Sequence, residues 1–122
     1  LEDGVKSHVA QGGTNFSGGQ KQRLSIARAL CRDAEILIFD DTFSALDFKT
    51  DRELRDALKA KTENETKLIV AQRIGTIMSA DKIIVLDEGR QVGTGTHQEL
   101  MKNCEVYRQI ALSQLSEEEL AI

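Results

Sequence analysis

Short continuous hydrophobic runs alternate with helix-spaced hydrophobic stripes along this chain. Two of the runs, ILIF at 36–39 and LIVA at 68–71, are typical of strands that are buried on both faces. A third strand is predicted at 82–86, and helices are predicted between the strands. Because strands that alternate with helices are joined by right-handed crossovers, the pattern predicts an α/β fold with a mostly parallel sheet and flanking helices.

The first amphipathic helix is predicted over residues 18–32, after a polar loop over 1–14 that begins within a domain. Ser17 precedes two glycines and a stretch of strong helix formers, so we expect it to cap the helix N-terminus. The predicted apolar stripe consists of Leu24, Ala27 and Cys31, widened by Ile26 and Leu30.

A second helix is predicted over 48–61, with Asp47 as its N-cap and with Leu54 and Leu58 facing inward. Acid–base pairs on the same helix are assigned to a solvated face: Asp51 with Arg55, and Arg52 with Asp56. A short third helix is expected at 74–79.

The C-terminal third of the chain predicts a hairpin followed by two helices. The turn at 87–90 leads into an antiparallel edge strand at 91–95. Thr96 and Glu99 have capping-box spacing for the next helix. A final amphipathic helix over 105–115 ends in an acidic tail that is expected to fray, and its apolar positions are Val106, Ile110 and Leu115.

Size, charge and cysteine content narrow the class of protein. The 122 residues allow one domain at most, and no apolar run approaches the length of roughly 18 residues that suggests a membrane span. The net charge of −4 argues against nucleic acid as the main partner. Cys31 and Cys104 are expected to be reduced, partly buried thiols, and neither His8 nor His97 has the spacing of a metal ligand.

Two places in the sequence carry candidate chemistry. The helix start at Ser17, Gly18 and Gly19 offers free N–H groups, a positive dipole end and backbone without Cβ atoms, which suits a phosphate group. Adjacent Asp40 and Asp41 follow a buried strand directly, which is unfavourable unless a cationic group binds there. Each place also has a simpler interpretation. The segment at 17–19 can be explained as the capped start of a helix after a turn, and Asp40 with Asp41 as a turn followed by a helix cap.

The motifs FSGGQ, ILIFDD, SALD, VAQR and ADKIIVLDEGR occur here in one order and at close spacing. Together they resemble the second half of an ATP-binding cassette (ABC) nucleotide-binding domain. The lead-in LEDGVKSHVAQGG and the tail GTGTHQEL resemble the exporter branch. The resemblance implies one partial P-loop NTPase domain over 1–122, with a signature-helix portion at 1–34 and a core at 35–122.

Family roles are transferred to matching positions only. Ser17, Gly18, Gly19 and Gln20 match the signature motif, which in the family contacts the γ-phosphate of ATP held by the partner domain of a head-to-tail dimer. Asp40 matches the Walker B aspartate that supports Mg²⁺. Residues 44–47, including Ser44 and Asp47, match the D-loop at the dimer interface. Residues 11–15 lie where exporters contact their transmembrane coupling helices.

Two positions depart from the family pattern. Asp41 stands where the family usually has the glutamate that polarises the attacking water, and Gln72 stands at the switch position that is usually histidine. Aspartate is one methylene shorter, and glutamine cannot become a cation near neutral pH. We therefore expect the degenerate-site subunit of a heterodimeric exporter, at the cytoplasmic face of the cell membrane, with ATP, Mg²⁺, a second nucleotide-binding domain and transmembrane domains as partners.

The sequence contains no G-x-x-x-x-G-K-[ST] phosphate loop, so these residues are not expected to hydrolyse ATP alone. In the family, the missing strand would lie between the strands at 68–71 and 82–86, which leaves two open edges. Three other interpretations remain open: the head of a repair or chromosome-maintenance ATPase, a non-enzymatic regulatory module, and an importer or soluble cassette ATPase. The absence of heptads in 1–14 weighs against an ATPase head, and the intact signature motif weighs against a regulatory module. The exporter-like tail weighs against an importer or soluble ATPase.

Overall fold

The computed structural model describes residues 3–120, with side chains through residue 115. Single 3₁₀ turns at Gly4–Lys6 and Gln11–Gly13 lie in the segment that was predicted to be a loop. The helices are α1 (Gly18–Leu30), α2 (Phe48–Lys61), α3 (Ile74–Ile77), α4 (His97–Asn103) and α5 (Glu105–Leu120). The strands are β1 (Ile36–Asp40), β2 (Thr66–Val70), β3 (Ile83–Asp87) and β4 (Arg90–Gly95). Within the described range, no helix has both the length and the apolar character needed to cross a bilayer.

The four described strands form two separate sheets. β1 and β2 are parallel, with Asp40 opposite Val70 at their carboxyl ends. β3 and β4 form an antiparallel hairpin with an irregularity between Val85 and Leu86. The predicted α/β class, the parallel pair and the hairpin are confirmed, and between residues 3 and 120 no strand joins β2 to β3.

The first hydrophobic core lies on one face of the parallel pair. Ile26 of α1, Leu58 of α2 and the strand residues Leu37 and Phe39 are buried in it, and Leu54 of α2 packs against it. The other face is open, because Ile36 and Ile38 are 62% and 66% exposed. Leu68 and Val70 of β2 are 52% and 50% exposed. The prediction that both strands are covered on both faces was therefore wrong for this chain: the helices pack against one side of the pair.

The rotation of α1 also differs from the prediction. Leu24 is 53% exposed, and Ala27 and Cys31 are exposed as well. The inward face instead follows the i, i+4 series of Gln22, Ile26 and Leu30, so only the two residues predicted to widen the stripe, Ile26 and Leu30, lie inward. Gln22 is polar, so hydrophobicity alone did not identify this face. Its side chain bonds to a neighbouring loop, as described below.

The second core joins α3, α4, α5 and the hairpin. Its buried residues are Ile74, Ile83, Val85, Leu100, Cys104, Tyr107 and Ala111. The Thr96–Glu99 capping box is confirmed. Of the two free thiols predicted to be partly buried, Cys104 is buried and Cys31 is exposed, so the prediction was wrong for Cys31. Ile110 is 38% exposed, so the inward face of α5 is not the predicted one, although Val106 and Leu115 do pack against the core. The backbone of α5 is helical to Leu120 where fraying was expected.

Candidate functional site

The start of α1 is held by a reciprocal capping box. Oγ of Ser17 accepts the backbone N–H of Gln20 at 3.2 Å, and Oε1 of Gln20 accepts the backbone N–H of Ser17 at 3.0 Å. The predicted N-cap is confirmed, and Gln20 has a structural task that the sequence interpretation did not assign to it. The Ser17 hydroxyl accepts in this arrangement, so its hydrogen can still be donated to a further acceptor.

The N–H groups of Gly18 and Gly19 have no acceptor inside the helix, because the first turn of an α-helix leaves its donors free. Ser17 and Gly18 are exposed, and the first turn of α1 contains no acidic side chain. The exposed Lys21 nearby adds a positive charge, and its Nζ donates to the carbonyl of Gly12 at 3.2 Å. Exposed donors without a competing carboxylate can accommodate an anion.

Packing within this chain does not require glycine at either position. A Cβ on Gly18 would lie 3.5 Å from Cβ of Ala45, and one on Gly19 would lie 3.4 Å from Cδ2 of Leu46, which are ordinary contacts. Neither glycine has a positive φ. Glycine lowers helix stability by roughly 0.5–1 kcal/mol relative to alanine. Packing within this chain therefore does not explain the two glycines.

Gln22 links α1 to the loop after β1. Its Nε2 lies 3.4 Å from Oγ of Ser44 and 3.5 Å from the carbonyl of Asp41, and its Oε1 accepts the N–H of Ala45 at 3.2 Å. Ser44 in turn donates its hydroxyl to the Asp41 carbonyl at 3.1 Å. The helix start and the 44–47 loop thus form one unit. The sequence interpretation missed Gln22, which the i, i+4 spacing to the buried Ile26 would have placed on this face.

The two adjacent aspartates separate at the carboxyl edge of the parallel pair. Asp40 ends β1 with an exposed side chain. The backbone N–H of Asp41 bonds to the Val70 carbonyl at 2.9 Å, and its φ of 52° turns the chain out of the strand. Aspartate adopts this left-handed conformation more readily than most residues.

Asp41, Ser44 and Gln72 line one cleft of about 150 Å³ together with Ala71 and Arg73. The structure therefore brings together the two positions that depart from the family pattern, although they are far apart in sequence. Asp40 does not line this cleft. Among the side chains described, no three or more of the His, Cys, Asp and Glu type converge as a metal site.

Asp47 is engaged by its own helix. Its Oδ1 accepts the backbone N–H of Thr50 at 2.6 Å, which confirms the predicted N-cap of α2. Hydrogen bonding from the Thr50 side chain, and then from the Thr50 backbone, lowers the pKa of this carboxyl below its usual value. Asp47 is thus ionised near neutral pH and directed at α2.

A buried ion-pair network lies behind the 44–47 loop. Asp51 is 2% exposed, and its Oδ1 accepts from Nε of Arg55 at 2.6 Å. Its Oδ2 accepts from the Thr76 hydroxyl at 3.2 Å and lies 3.7 Å from Nη1 of Arg73. The assignment of Asp51 and Arg55 to a solvated face was wrong, because α2 turns Asp51 toward α3. Arg52 and Asp56 are exposed.

Arg73 connects this network to the loop. Its Nη1 donates to the Leu46 carbonyl at 2.8 Å and its Nη2 to the Ser44 carbonyl at 2.9 Å. The guanidinium carbon also lies 4.9 Å from the centre of the Phe48 ring. The planar fork of arginine suits this double contact. The sequence interpretation did not select Arg73, because its partners lie 27 and 29 positions away in the chain.

Comparison with known proteins is consistent across sequence and structure. The family model described as ABC transporter matches residues 1–44. An uncharacterised ABC transporter ATP-binding protein of Mycobacterium tuberculosis is 50% identical over 112 residues, which is 92% of this chain and 19% of that protein. An ATP-dependent lipid A-core flippase of Francisella tularensis is 44% identical over 115 residues, which is 94% of this chain and 19% of the flippase.

A solved structure of a bacterial Atm1-family ABC exporter with ATP bound matches with a TM-score of 0.88 and 36% identity. The match covers 93% of this chain and 20% of the exporter chain. The chain therefore spans about a fifth of the length of the relatives that it matches.

Proposed function

Because this chain belongs with the ATP-binding domains of ABC transporters, we propose that it works as part of an ABC exporter ATPase. In this proposal ATP binding and hydrolysis drive substrate export, and the chain supplies its signature helix start to the nucleotide site of a partner domain. The nucleotide site of this chain itself is degenerate, because Asp41 and Gln72 replace the usual glutamate and histidine. The chain corresponds to one partial nucleotide-binding domain, with 1–34 as the signature-helix portion and 35–122 as the core.

The observation that carries the proposal is the exposed start of α1. The capping box uses the Gln20 and Ser17 donors, while helix geometry leaves those of Gly18 and Gly19 free. The glycines lower helix stability without any steric requirement from this chain. A terminal phosphate presented by a second domain would account for both features, because it needs free donors and close backbone approach.

ATP and Mg²⁺ are general requirements of this family, and the donor set here fits them. The exposed Asp40 carboxylate at the end of β1 offers the hard oxygen ligand that Mg²⁺ prefers, usually with water and phosphate oxygens completing the shell. When bound, Mg²⁺ neutralises charge that develops on the phosphate oxygens. We assign Asp40 to this role, and Ser44 and Asp47 to the domain interface.

The degenerate-site proposal rests on Asp41 and Gln72, which line the same cleft. The backbone of Asp41 is held by its bond to Val70 at the end of the parallel pair, and its carboxylate is one methylene shorter than that of glutamate. Gln72 can donate a hydrogen bond to phosphate but cannot hold a proton as histidine does. Both residues thus weaken hydrolysis at the site of this chain, while the signature remains able to complete the site of the partner.

The proposed partners are a second nucleotide-binding domain in a head-to-tail dimer and the transmembrane domains of an exporter, at the cytoplasmic face of the membrane. The mostly exposed 11–15 segment is a candidate contact for those domains. Asn15 ties it to the preceding residues, since its Oδ1 accepts the Ala10 N–H at 3.0 Å and its Nδ2 donates to the His8 carbonyl at 2.8 Å. A regulatory module without catalysis is the second candidate, favoured by Asp41 and Gln72.

Two opposite substitutions on α1, Gly19→Ala and Ala27→Gly, distinguish an exporter ATPase from a regulatory module. Gly19→Ala is expected to leave thermal stability unchanged or slightly higher, because alanine favours helix by up to about 1 kcal/mol and its methyl fits. The same change is expected to reduce ATP turnover by the native full-length complex on the order of 10- to 100-fold, because a methyl group beside the exposed N–H groups restricts how closely a phosphate can approach them.

The matched control is Ala27→Gly at an exposed position of the same helix. It is expected to lower the melting temperature and leave turnover unchanged. Wild-type turnover in the Gly19→Ala complex would contradict the proposed role of the helix start and favour the regulatory module.

A further inference from the structure

A side chain of α5 holds the backbone on both sides of Arg73. Oε1 of Gln114 accepts the N–H of Ile74 at 2.8 Å, and its Nε2 donates to the carbonyl of Gln72 at 2.9 Å. One amide thus satisfies a donor and an acceptor that flank a single residue. The two partners fix the orientation of the amide, because only its oxygen can serve the N–H and only its nitrogen can serve the carbonyl.

This contact replaces a missing helix cap. The N-cap position of α3 is Arg73, whose side chain makes no capping hydrogen bond. The adjacent Ile74 is 3% exposed and packs with Tyr107 and Ala111 of α5. An unpaired N–H at such a buried position would be unfavourable, so Gln114 supplies an acceptor from 40 residues away.

From the fixed backbone, the Arg73 guanidinium extends to the carbonyls of Ser44 and Leu46. The same loop is bonded to the first half of α1 through Gln22, whose amide contacts Ser44 and Ala45. Gln114 therefore stands at one end of a continuous series of contacts. The series runs from α5 through Arg73 to the 44–47 loop and the first half of α1, and it passes Gln72 in the cleft.

We propose that Gln114 is a positioning residue that sets the place of Gln72 and of the 44–47 loop, so that α5 controls the geometry of the candidate site. The expected effect of Gln114 on ATP turnover rests on the proposed function. Its expected effect on the position of the 44–47 loop rests only on the hydrogen bonds of Gln114 and Arg73. Gln114 does not line the cleft, and its hydrogen bonds go to the backbone of Gln72 and Ile74, so it acts through that backbone and through Arg73.

Three variants of the native full-length protein test the inference. Gln114→Met removes both hydrogen bonds and keeps a side chain of similar length and flexibility. Gln114→Glu keeps the acceptor for Ile74 and removes the donor to Gln72. Gln109→Met is the matched control, because Gln109 lies on the same helix, is exposed, and bonds only locally to Glu105 at 3.2 Å.

Amide hydrogen exchange is the first measurement. In Gln114→Met we expect the amides of Ile74, Ala45 and Leu46 to exchange about tenfold faster, with an intermediate effect in Gln114→Glu and none in Gln109→Met. Faster exchange confined to Ile74 would overturn the inference, since Gln114 would then be a helix cap only.

ATP turnover is the second measurement. We expect kcat to fall on the order of tenfold in Gln114→Met while KM for ATP stays within about twofold, because positioning is disturbed and binding is not. A rise in KM without loss of kcat would contradict the positioning role. If the wild-type complex showed no ATP turnover, the proposed function would fail, and exchange at Ala45 and Leu46 would still decide whether α5 holds the loop.

Discussion

The double variant Asp41→Glu with Gln72→His is expected to raise ATP hydrolysis at the nucleotide site of this chain on the order of 100-fold. Glutamate extends the carboxylate by one methylene toward the position of the attacking water. Histidine at 72 adds a group that can exchange a proton near neutral pH. Because both residues line one cleft, the two changes act on the same reaction and are expected to be more than additive.

The measurement is single-turnover hydrolysis by the full-length complex in which the other nucleotide site has been disabled, so that only this site is observed. The matched control is Asp81→Glu with Gln98→His, which makes the same chemical changes at exposed positions away from the cleft. Unchanged or lower turnover in the double variant would contradict the degenerate-site proposal.

Asp51→Ala is expected to lower the opening free energy of α2 by about 2–4 kcal/mol. Removing one member of a fully buried ion pair typically costs about 3–5 kcal/mol. The side chains of Arg55 and Arg73 here are 21% and 29% exposed, so water offsets part of the loss. The released Arg73 is also expected to loosen its hold on the Ser44 and Leu46 carbonyls.

Amide exchange at Leu58 in the intact protein measures this opening. Glu53→Ala is the control on the same helix, since its pair with Lys49 at 3.9 Å is 67% and 86% exposed and is expected to contribute less than about 0.5 kcal/mol. Equal effects of the two substitutions would show that burial of Asp51 contributes nothing to stability.

Local features of the fold were predictable because their causes lie within a few residues. The Asp47 cap bonds to Thr50, and the Thr96 cap bonds to Glu99, each three positions away. Sequence also identified the helix start at Ser17 and the order of strands and helices.

The errors concern which face of an element is buried. Asp51 with Arg55 and Arg52 with Asp56 have the same spacing, and only the packing of α2 against α3 decides which pair is enclosed. On α1 the inward face includes the polar Gln22, whose partner loop lies about 20 residues on.

The candidate site was predicted in part. Sequence identified Asp41 and Gln72 as departures from a pattern, and the parallel register of β1 and β2 explains why they meet, since the carboxyl ends of the two strands lie side by side. Arg73 and Gln114 could not be found in this way. Their bonds go to backbone atoms between 27 and 42 positions away, and backbone partners leave no pattern in the side chains.

A structure of the intact complex with ATP trapped between the domains tests most directly whether the start of α1 reads a phosphate on a neighbouring domain. We expect Oγ of Ser17 and the N–H of Gly19 to lie within about 3 Å of oxygens of the terminal phosphate. An arrangement in which both groups face away from every terminal phosphate would contradict the proposed function.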